Sequence, residues 1–169
     1  MKIKRRRRER KTDYLKRRNL LKSGFPRIVF RKTNQYIIGQ YVISKEAQDF
    51  VKEGISSKVL INYNWPKEFI NSLKSIPASY LTGFLLGKRI SEKKLKIPIV
   101  DAGMMRKVTK NRFFAFLKGL KDSGIEIKCD KEFFPDDDKI KGKHLKKDFS
   151  KIFEEIKLKI ETKWKKIKK

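Results

Sequence analysis

Apolar and polar residues alternate in the first third of the chain, as they do in β-strands. Ile28 and Phe30 fall on one face of such a segment, and Arg27 and Arg31 fall on the other. Turn-forming residues at 33–34 then separate this segment from one rich in Tyr, Ile and Val. The pattern predicts an antiparallel meander with strands at residues 26–31, 36–44 and 58–61.

Helical spacing of apolar residues predicts a different structure for other segments. Thr12 and Asp13 suit the N-cap of a short helix that carries Tyr14, Arg17, Arg18 and Leu21, and Gly24 suits its end. Further helices are predicted to start at Pro77, carrying the apolar series Tyr80, Leu81, Phe84, Leu85 and Ile90, and at Arg112, carrying Phe113, Phe116, Leu117 and Leu120 up to a stop at Gly124.

Shorter signals complete this part of the chain. Gly83 and Gly87 lower helix propensity, so their presence predicts close packing of the first long helix against the sheet. Residues 97–100 are predicted to form a compact apolar strand that ends in Asp101-Ala102-Gly103, and residues 125–128 are a candidate for a further strand.

The C-terminal tail has the pattern of an amphipathic helix. Its apolar positions are three or four residues apart, and the opposite face is rich in lysine. They are Phe149, Phe153, Ile156, Ile160, Trp164 and Ile167. Three destinations are open for this helix: the body of the protein, a partner protein, or an RNA.

Together these elements predict an α/β fold with a mixed, partly antiparallel sheet packed by two helices. A basic N-terminal arm precedes this body and a C-terminal amphipathic helix follows it. The expected units are residues 1–24 for the arm and its short helix, 25–130 for the body, and 131–169 for the helical extension.

The charge of the chain indicates its partner. Its 46 Lys and Arg against 19 Asp and Glu give a formal net charge of +27, which would repel itself in a compact body and which a polyanion neutralises. Residues 1–22 hold 12 basic and 2 acidic side chains, and residues 139–169 hold 13 and 4, so the two ends carry most of the excess. Yet 12 Phe, 5 Tyr and 2 Trp argue for a folded chain.

Two parts of the chain are the first candidates for RNA contact. The stretch at residues 4–11 has no apolar residue and is dominated by arginine, whose planar guanidinium binds phosphate and stacks on bases. A disordered solubility tail or a nuclear localisation run is the alternative for this arm. The loop at residues 104–111 carries three basic residues between a strand and a helix, where phosphate binding is common.

The basic strand residues Arg27 and Arg31 leave two interpretations open. They suit a phosphate backbone lying along an open sheet face, but surface arginines on a strand are equally often only solvated.

Several classes of protein lack support in the sequence. The single Cys129 provides no internal disulfide, and no apolar run approaches the roughly 18 residues of a membrane span or forms a signal peptide. The single His144 excludes a multi-histidine metal site, and Asp136-Asp137-Asp138 is better explained as the acidic start of a helix. No phosphate-binding glycine motif is present. We therefore expect no enzyme, no cofactor, no small-molecule substrate and no membrane partner.

Collinear motifs resemble one family, the 5S-ribosomal-RNA-binding proteins of the large ribosomal subunit, universal family eighteen, in the archaeal and eukaryotic form. The resemblance covers residues 10 to about 145. It rests on Arg10-Lys11-Thr12-Asp13-Tyr14, on Leu20 through Arg27, on Arg31-Lys32-Thr33-Asn34, on Trp65, on Pro77 through Gly83, on Val100-Asp101-Ala102-Gly103, on Phe114-Ala115 and Leu117-Lys118-Gly119, and on Pro135 followed by Lys139 through His144.

This resemblance implies an α/β body whose arm and sheet face bind 5S rRNA and help attach it to the central protuberance. Partners would be 5S rRNA, 23S-type rRNA and neighbouring large-subunit proteins of the cytoplasmic ribosome. The resemblance carries RNA contact over to the arm and to Arg27, Arg31, Lys32 and Asn34. It does not extend to the lysine-rich tail, nor to the course of the loop at residues 108–115, where the family usually has a Pro- or Gly-containing stretch.

The complete set of candidate RNA-binding residues combines the arm, the strand and the loop. It consists of Lys4, Arg5, Arg6, Arg7, Arg8, Arg10, Lys11, Tyr14, Arg17, Arg18, Arg27, Arg31, Lys32, Asn34, Arg106, Lys107, Lys110 and Arg112. An RNA-modifying or ribosome-assembly factor with the same basic surface is the alternative function, and a DNA-compacting protein is a third.

Overall fold

The computed structural model describes residues 4–9, 11–46, 48–105, 108–145 and 148–167, with side chains up to residue 163. Its centre is a four-stranded mixed sheet in the order β3-β2-β1-β4. The strands are β1 (Arg27–Lys32), β2 (Ile37–Lys45), β3 (Gln48–Ser56) and β4 (Ile99–Asp101). β2 is antiparallel to both β1 and β3, whereas β4 is parallel to β1, with Ile28 paired to Val100. The predicted mixed α/β class is confirmed.

The third strand of the meander is not where the sequence pattern places it. Residues 58–61 lie in the 3₁₀ helix Ser57–Tyr63, and the strand beside β2 is the preceding segment, β3. β3 is an edge strand whose first five residues are exposed, so its sequence lacks the alternation of a half-buried strand. In the 3₁₀ helix, Ser57, Leu60 and Tyr63 are buried, and this three-residue repeat matches three residues per turn.

Two helices form the layer that covers one face of the sheet. α3 (Ile76–Glu92) begins with Ser75 as N-cap and Pro77 in its first turn, and α4 (Arg112–Asp122) follows with Asn111 as N-cap. The predicted apolar stripe of α4 is in the core, where Phe116 and Phe30 have ring centroids 5.1 Å apart.

The close approach marked by the glycines of α3 is to a helix and not to the sheet. A β-carbon on Gly83 would overlap the carbonyl oxygen of Phe116, and one on Gly87 would overlap the hydroxyl of Ser123, both in or next to α4. Gly119 of α4 makes the reciprocal approach to the backbone of α3. The prediction of tight packing is therefore right, but the partner that it named is wrong.

Residues 125–128, all within the described part of the chain, do not form the expected strand. Ile125 and Ile127 are nevertheless buried in the core. The alternation in this segment reflects burial of every second side chain without the backbone ladder that defines a strand. A segment can pack its side chains on a core in this way without joining a sheet.

The remaining helices lie at the two ends of the chain. They are α1 (Arg5–Arg8), α2 (Tyr14–Lys22), α5 (Asp137–Lys141) and α6 (Ser150–Ile167). α5 opens with Asp137 and Asp138 in its first turn, as predicted. α6 packs on the body, because Phe153, Ile156 and Ile160, together with Phe149 just before the helix, are buried in the same core as α3 and β1.

Candidate nucleic-acid interface

The N-terminal arm is folded around Asp13. Its side chain accepts hydrogen bonds from the backbone N–H groups of Leu15 at 3.1 Å and Lys16 at 3.2 Å, which caps α2 as predicted. The same carboxylate oxygen lies 3.4 Å from a guanidinium nitrogen of Arg7. No residue of α2 is buried, so all of its basic side chains remain at the surface.

The first turn of the arm presents its arginines outward. Arg5, Arg6, Arg7 and Arg8 make up α1 and are all exposed. Glu9 pairs with Lys11 at 2.9 Å and with Arg5 at 2.8 Å, and these hydrogen bonds hold the pKa of Glu9 below its usual value. Predicted contact residue Arg10 lies outside the described residues.

Tyr14, the first residue of α2, contacts the residue that precedes α1. The ammonium of Lys4 lies 4.8 Å from the centroid of the Tyr14 ring, a cation–π distance. Arg18, one turn further along α2, is exposed and has no carboxylate partner among the described residues. The arm therefore contains ion pairs between its own residues and also guanidinium groups, such as that of Arg18, that have no described carboxylate partner.

Arg27 is not on an open surface. It is only 2% exposed, and its guanidinium lies between two carboxylates, 2.6 Å from Asp49 and 3.3 Å from Asp101. It also donates to the hydroxyl of Ser44 at 2.9 Å. The expected exposure of Arg27 is therefore wrong, because one acidic residue of β3 and one of β4 enclose its charge. Arg27 thus holds Asp49 and Asp101 in place beneath the surface and is not itself accessible from it.

Asp49 connects this buried arginine to the arm. Its second carboxylate oxygen pairs with Arg17 of α2 at 3.1 Å. Partial burial opposes ionisation of Asp49, but the hydrogen bond from Ser44 and the charges of Arg27 and Arg17 outweigh it and hold its pKa below the usual value. Sequence reasoning missed Asp49, since acidic residues are not sought in an RNA-binding surface.

Asp101 orders the opposite side of the network. One carboxylate oxygen accepts from the backbone N–H of Gly103 at 2.8 Å, and the other lies 4.0 Å from Arg31. Arg31 also donates to the carbonyl of Phe30 at 2.7 Å, which fixes a guanidinium that is about half exposed. Arg31 is thus held in place and still open to a ligand.

Lys16 links α2 to the same corner. Its ammonium lies 3.4 Å from the carbonyl oxygen of Gly103. Together with the Arg17–Asp49 pair, this contact holds the arm beside Arg31. Lys16 was missed by the sequence analysis, although its position two residues after Tyr14 on a basic helix pointed to it.

The turn after β1 carries the remaining strand candidates. Lys32 and Asn34 are both exposed, and the Asn34 carbonyl accepts from the ammonium of Lys74 at 2.8 Å. Lys74 adds a basic group that the sequence pattern did not assign to this surface. Arg31, Lys32 and Lys74 therefore extend the positive region from the arm to the end of the strand.

The structure describes only part of the loop before α4. Arg106 and Lys107 lie outside the described residues, and Lys110 is paired to Asp136 at 3.0 Å. The side chain of Asn111 accepts from the N–H groups of Phe113 at 2.8 Å and Phe114 at 3.2 Å, so these donors of the helix N-terminus are already occupied. Arg112 is half-buried.

Other kinds of site are not apparent in the described part of the chain. It contains no group of three or more His, Cys, Asp or Glu residues placed to hold a metal ion. None of its helices has the length and apolar character needed to cross a membrane.

Comparison with known proteins identifies the family of the chain. The family described as ribosomal large subunit proteins 60S L5 and 50S L18 matches residues 1–98. Large ribosomal subunit protein uL18 of Korarchaeum cryptofilum is 42% identical over 151 residues, covering 89% of this chain and 75% of the relative. The same protein of Caldivirga maquilingensis is 39% identical over 142 residues (83% and 67%), and that of Methanoculleus marisnigri is 39% identical over 141 residues (83% and 78%). The chain belongs to the family of large-subunit ribosomal proteins that includes uL18.

Proposed function

We propose that this protein is a structural constituent of the large ribosomal subunit that binds 5S rRNA and helps attach it to the central protuberance. The observation that carries the proposal is the ordered basic surface formed by the arm and the end of β1. Arg17, Arg27 and Arg31 are spaced by Asp49 and Asp101, which aligns the arm with the strand.

The network makes this surface suitable for a structured RNA. Two acidic residues neutralise the buried charge, while Arg18, Arg31 and Lys32 stay exposed for phosphate. Exposed guanidinium groups bind phosphate oxygens in pairs and stack on unpaired bases. We place the protein in the ribosome, in the cytoplasm, with 23S-type rRNA and neighbouring large-subunit proteins as further partners.

Deleting residues 1–11 tests the role of the arm. Because α2 and the body keep their own caps and core, the truncated protein should stay folded by circular dichroism. Its affinity for 5S rRNA in a filter-binding titration should fall by about 100-fold or more, since binding to phosphates is dominated by counterion release. An unchanged affinity would remove the arm from the interface.

A matched pair of variants separates position from total charge. In one, Arg5, Arg6, Arg7 and Arg8 are replaced by Gln. In the control, four exposed lysines elsewhere are replaced: Lys58, Lys67, Lys128 and Lys159. The slope of log affinity against log salt should fall by about 3 in the first variant and by less than about 1 in the second. Equal changes would mean that only net charge matters.

RNA specificity and stable association with large subunits distinguish a ribosomal constituent from a modifying enzyme, an assembly factor or a DNA-compacting protein. A transfer RNA at the same nucleotide concentration should compete poorly with 5S rRNA, and duplex DNA more poorly still. The protein should remain with large subunits through a high-salt wash, whereas a modifying enzyme or an assembly factor should be released. Loss in that wash would favour the transient role.

A further inference from the structure

A cleft of about 660 Å³ lies beside Arg31, between the end of β1, the start of α4 and the loop that follows β4. Its volume falls within the roughly 300–1,000 Å³ of ligand pockets in proteins. A flat basic surface would suffice to bind the phosphates of a duplex backbone. Phosphate binding alone therefore gives no reason for a cavity of this size.

The floor of the cleft is apolar and polarisable. Met104, Met105 and Phe113 line it, and Met104 is 48% exposed. Phe113 is backed by the buried Phe30, whose ring centroid lies 5.5 Å away in an edge-on arrangement. Thioethers and aromatic rings both make favourable contacts with flat π-systems. The floor therefore suits a planar, largely apolar group.

The rim of the cleft is basic. Lys11, Arg31, Lys32 and Arg112 border it together with His144, and no Asp or Glu is among its described lining residues. The chain has 19 acidic residues, and several of them pair with basic groups elsewhere on the surface. Lys11 is paired with Glu9 and Arg31 lies 4.0 Å from Asp101, so the positive charge available for an anionic ligand comes mainly from Lys32 and Arg112.

Arg31 is held at the edge of this cleft with its guanidinium against Gly103. A β-carbon on Gly103 would lie 3.1 Å from a guanidinium nitrogen of Arg31, and the positive φ of +62° at this position also favours glycine. The hydrogen bond from Arg31 to the Phe30 carbonyl fixes the group further. Its plane is thus preorganised at the boundary between the apolar floor and the charged rim.

From this combination we infer that the cleft receives an unpaired nucleotide of the bound RNA. The base lies on Met104, Met105 and Phe113, and the flanking phosphates lie against Lys32 and Arg112. Stacking of splayed-out bases on aromatic side chains and arginine planes is a common means by which proteins recognise single-stranded RNA. This inference rests on the proposed function and adds a single-stranded element to it.

An acidic peptide is the other occupant that charge would allow. Its carboxylates would match the rim, but its backbone and short side chains would leave the apolar floor uncovered. A nucleotide satisfies both parts at once, because it joins a flat base to a charged backbone. The floor is consequently the feature to test.

The test uses the full chain with Met104→Ala and Phe113→Leu, and with Leu158→Ala as a control. Leu158 is 59% exposed on α6, so its truncation removes a comparably exposed apolar side chain outside the cleft. Leucine at 113 keeps an apolar contact with Phe30 and removes the ring face, and circular dichroism verifies the fold of each variant. The probes are 5S rRNA, a short mixed single-stranded oligoribonucleotide, and polyglutamate as competitor.

We expect each floor variant to lose about five- to tenfold in affinity for both RNAs, with an unchanged salt slope, because stacking releases no counterions. The control should bind as the wild type does. Wild-type-like affinity of both floor variants for the oligoribonucleotide would overturn the inference. So would a loss accompanied by a smaller salt slope, or competition by polyglutamate that depends on Met104.

These outcomes separate the inference from the proposed function. If wild-type protein binds the oligoribonucleotide through the floor but does not prefer 5S rRNA, the proposed function fails and the cleft stands. If it prefers 5S rRNA and the floor variants behave as wild type, the cleft fails and the proposed function stands.

Discussion

Replacing Arg27 by Met tests the network on which the candidate surface depends. Met has a similar length and no charge, so the variant leaves Asp101 without its buried cation. Removing one partner of a buried ion pair typically costs about 3–5 kcal/mol. Here Asp101 keeps its hydrogen bond from Gly103, and Asp49 is one-third exposed and keeps Arg17. We therefore expect a smaller loss of unfolding free energy, about 2–3 kcal/mol.

Urea unfolding followed by circular dichroism measures this loss. The double variant Arg27→Met, Asp101→Asn should lose less than the sum of the two single variants by about 1 kcal/mol or more, because the pair is in direct contact. A loss below about 0.5 kcal/mol for Arg27→Met, with an unchanged dependence on urea, would show that the guanidinium is not buried between carboxylates.

The same variant decides whether Arg27 touches RNA. If Arg27 acts by positioning Asp49 and Asp101, the folded variant keeps the salt slope of 5S rRNA binding. Lys32→Gln, which removes an exposed charge, should lower that slope by about 1. A fall of similar size for Arg27→Met would mean that the arginine leaves its buried position to bind phosphate.

Three further predictions follow from packing and charge. Gly83→Ala should lower the free energy of unfolding in urea by more than about 2 kcal/mol, because the added β-carbon meets the backbone of the facing helix. Gly54→Ala should be almost neutral, because the nearest atom to its added β-carbon is 3.6 Å away. Phe149→Ala should cost about 3–5 kcal/mol and reduce helical circular dichroism, while Leu158→Ala should change neither. Folding lowers the pKa of Asp49 from 3.8, so the ionised carboxylate stabilises the folded protein above that pH. This stabilisation is lost as the pH falls through the folded-state pKa. In urea unfolding measured across the acid range, Asp49→Asn should therefore show a smaller fall in unfolding free energy than the wild type.

The helices were the most predictable part of the fold. The apolar period of both helices, the Pro near the start of α3 and the glycine after the end of α4 all indicate helical structure, and both helices form where expected. The C-terminal helix was equally clear from its spacing. Its docking on the body could not be chosen from the sequence, because Phe149 meets Trp65 and Phe69, which are far away along the chain.

Edge positions and long-range ion pairs were the least predictable. β3 exposes most of its side chains and so resembles a loop in sequence, while residues 125–128 resemble a strand and are not one. The burial of Arg27 depends on Asp49 and Asp101, which are 22 and 74 residues away. Arg27 and the exposed Arg31 lie on the same face of β1, and nothing in the sequence around them shows that one is buried and the other is not.

The two basic ends of the chain are attached to the body by different forces. α6 is held by three buried apolar side chains of its own and by the buried Phe149 just before it, and this contact strengthens or is unaffected as salt is added. α2 buries no residue and is held by Arg17–Asp49 and Lys16–Gly103, and such partly exposed polar contacts are screened by salt. An approaching phosphate competes for the same guanidinium and ammonium groups. The arm can therefore exchange its protein contacts for RNA contacts at little cost, whereas the C-terminal helix stays with the core, and this difference makes the N-terminal end the adjustable part of the interface.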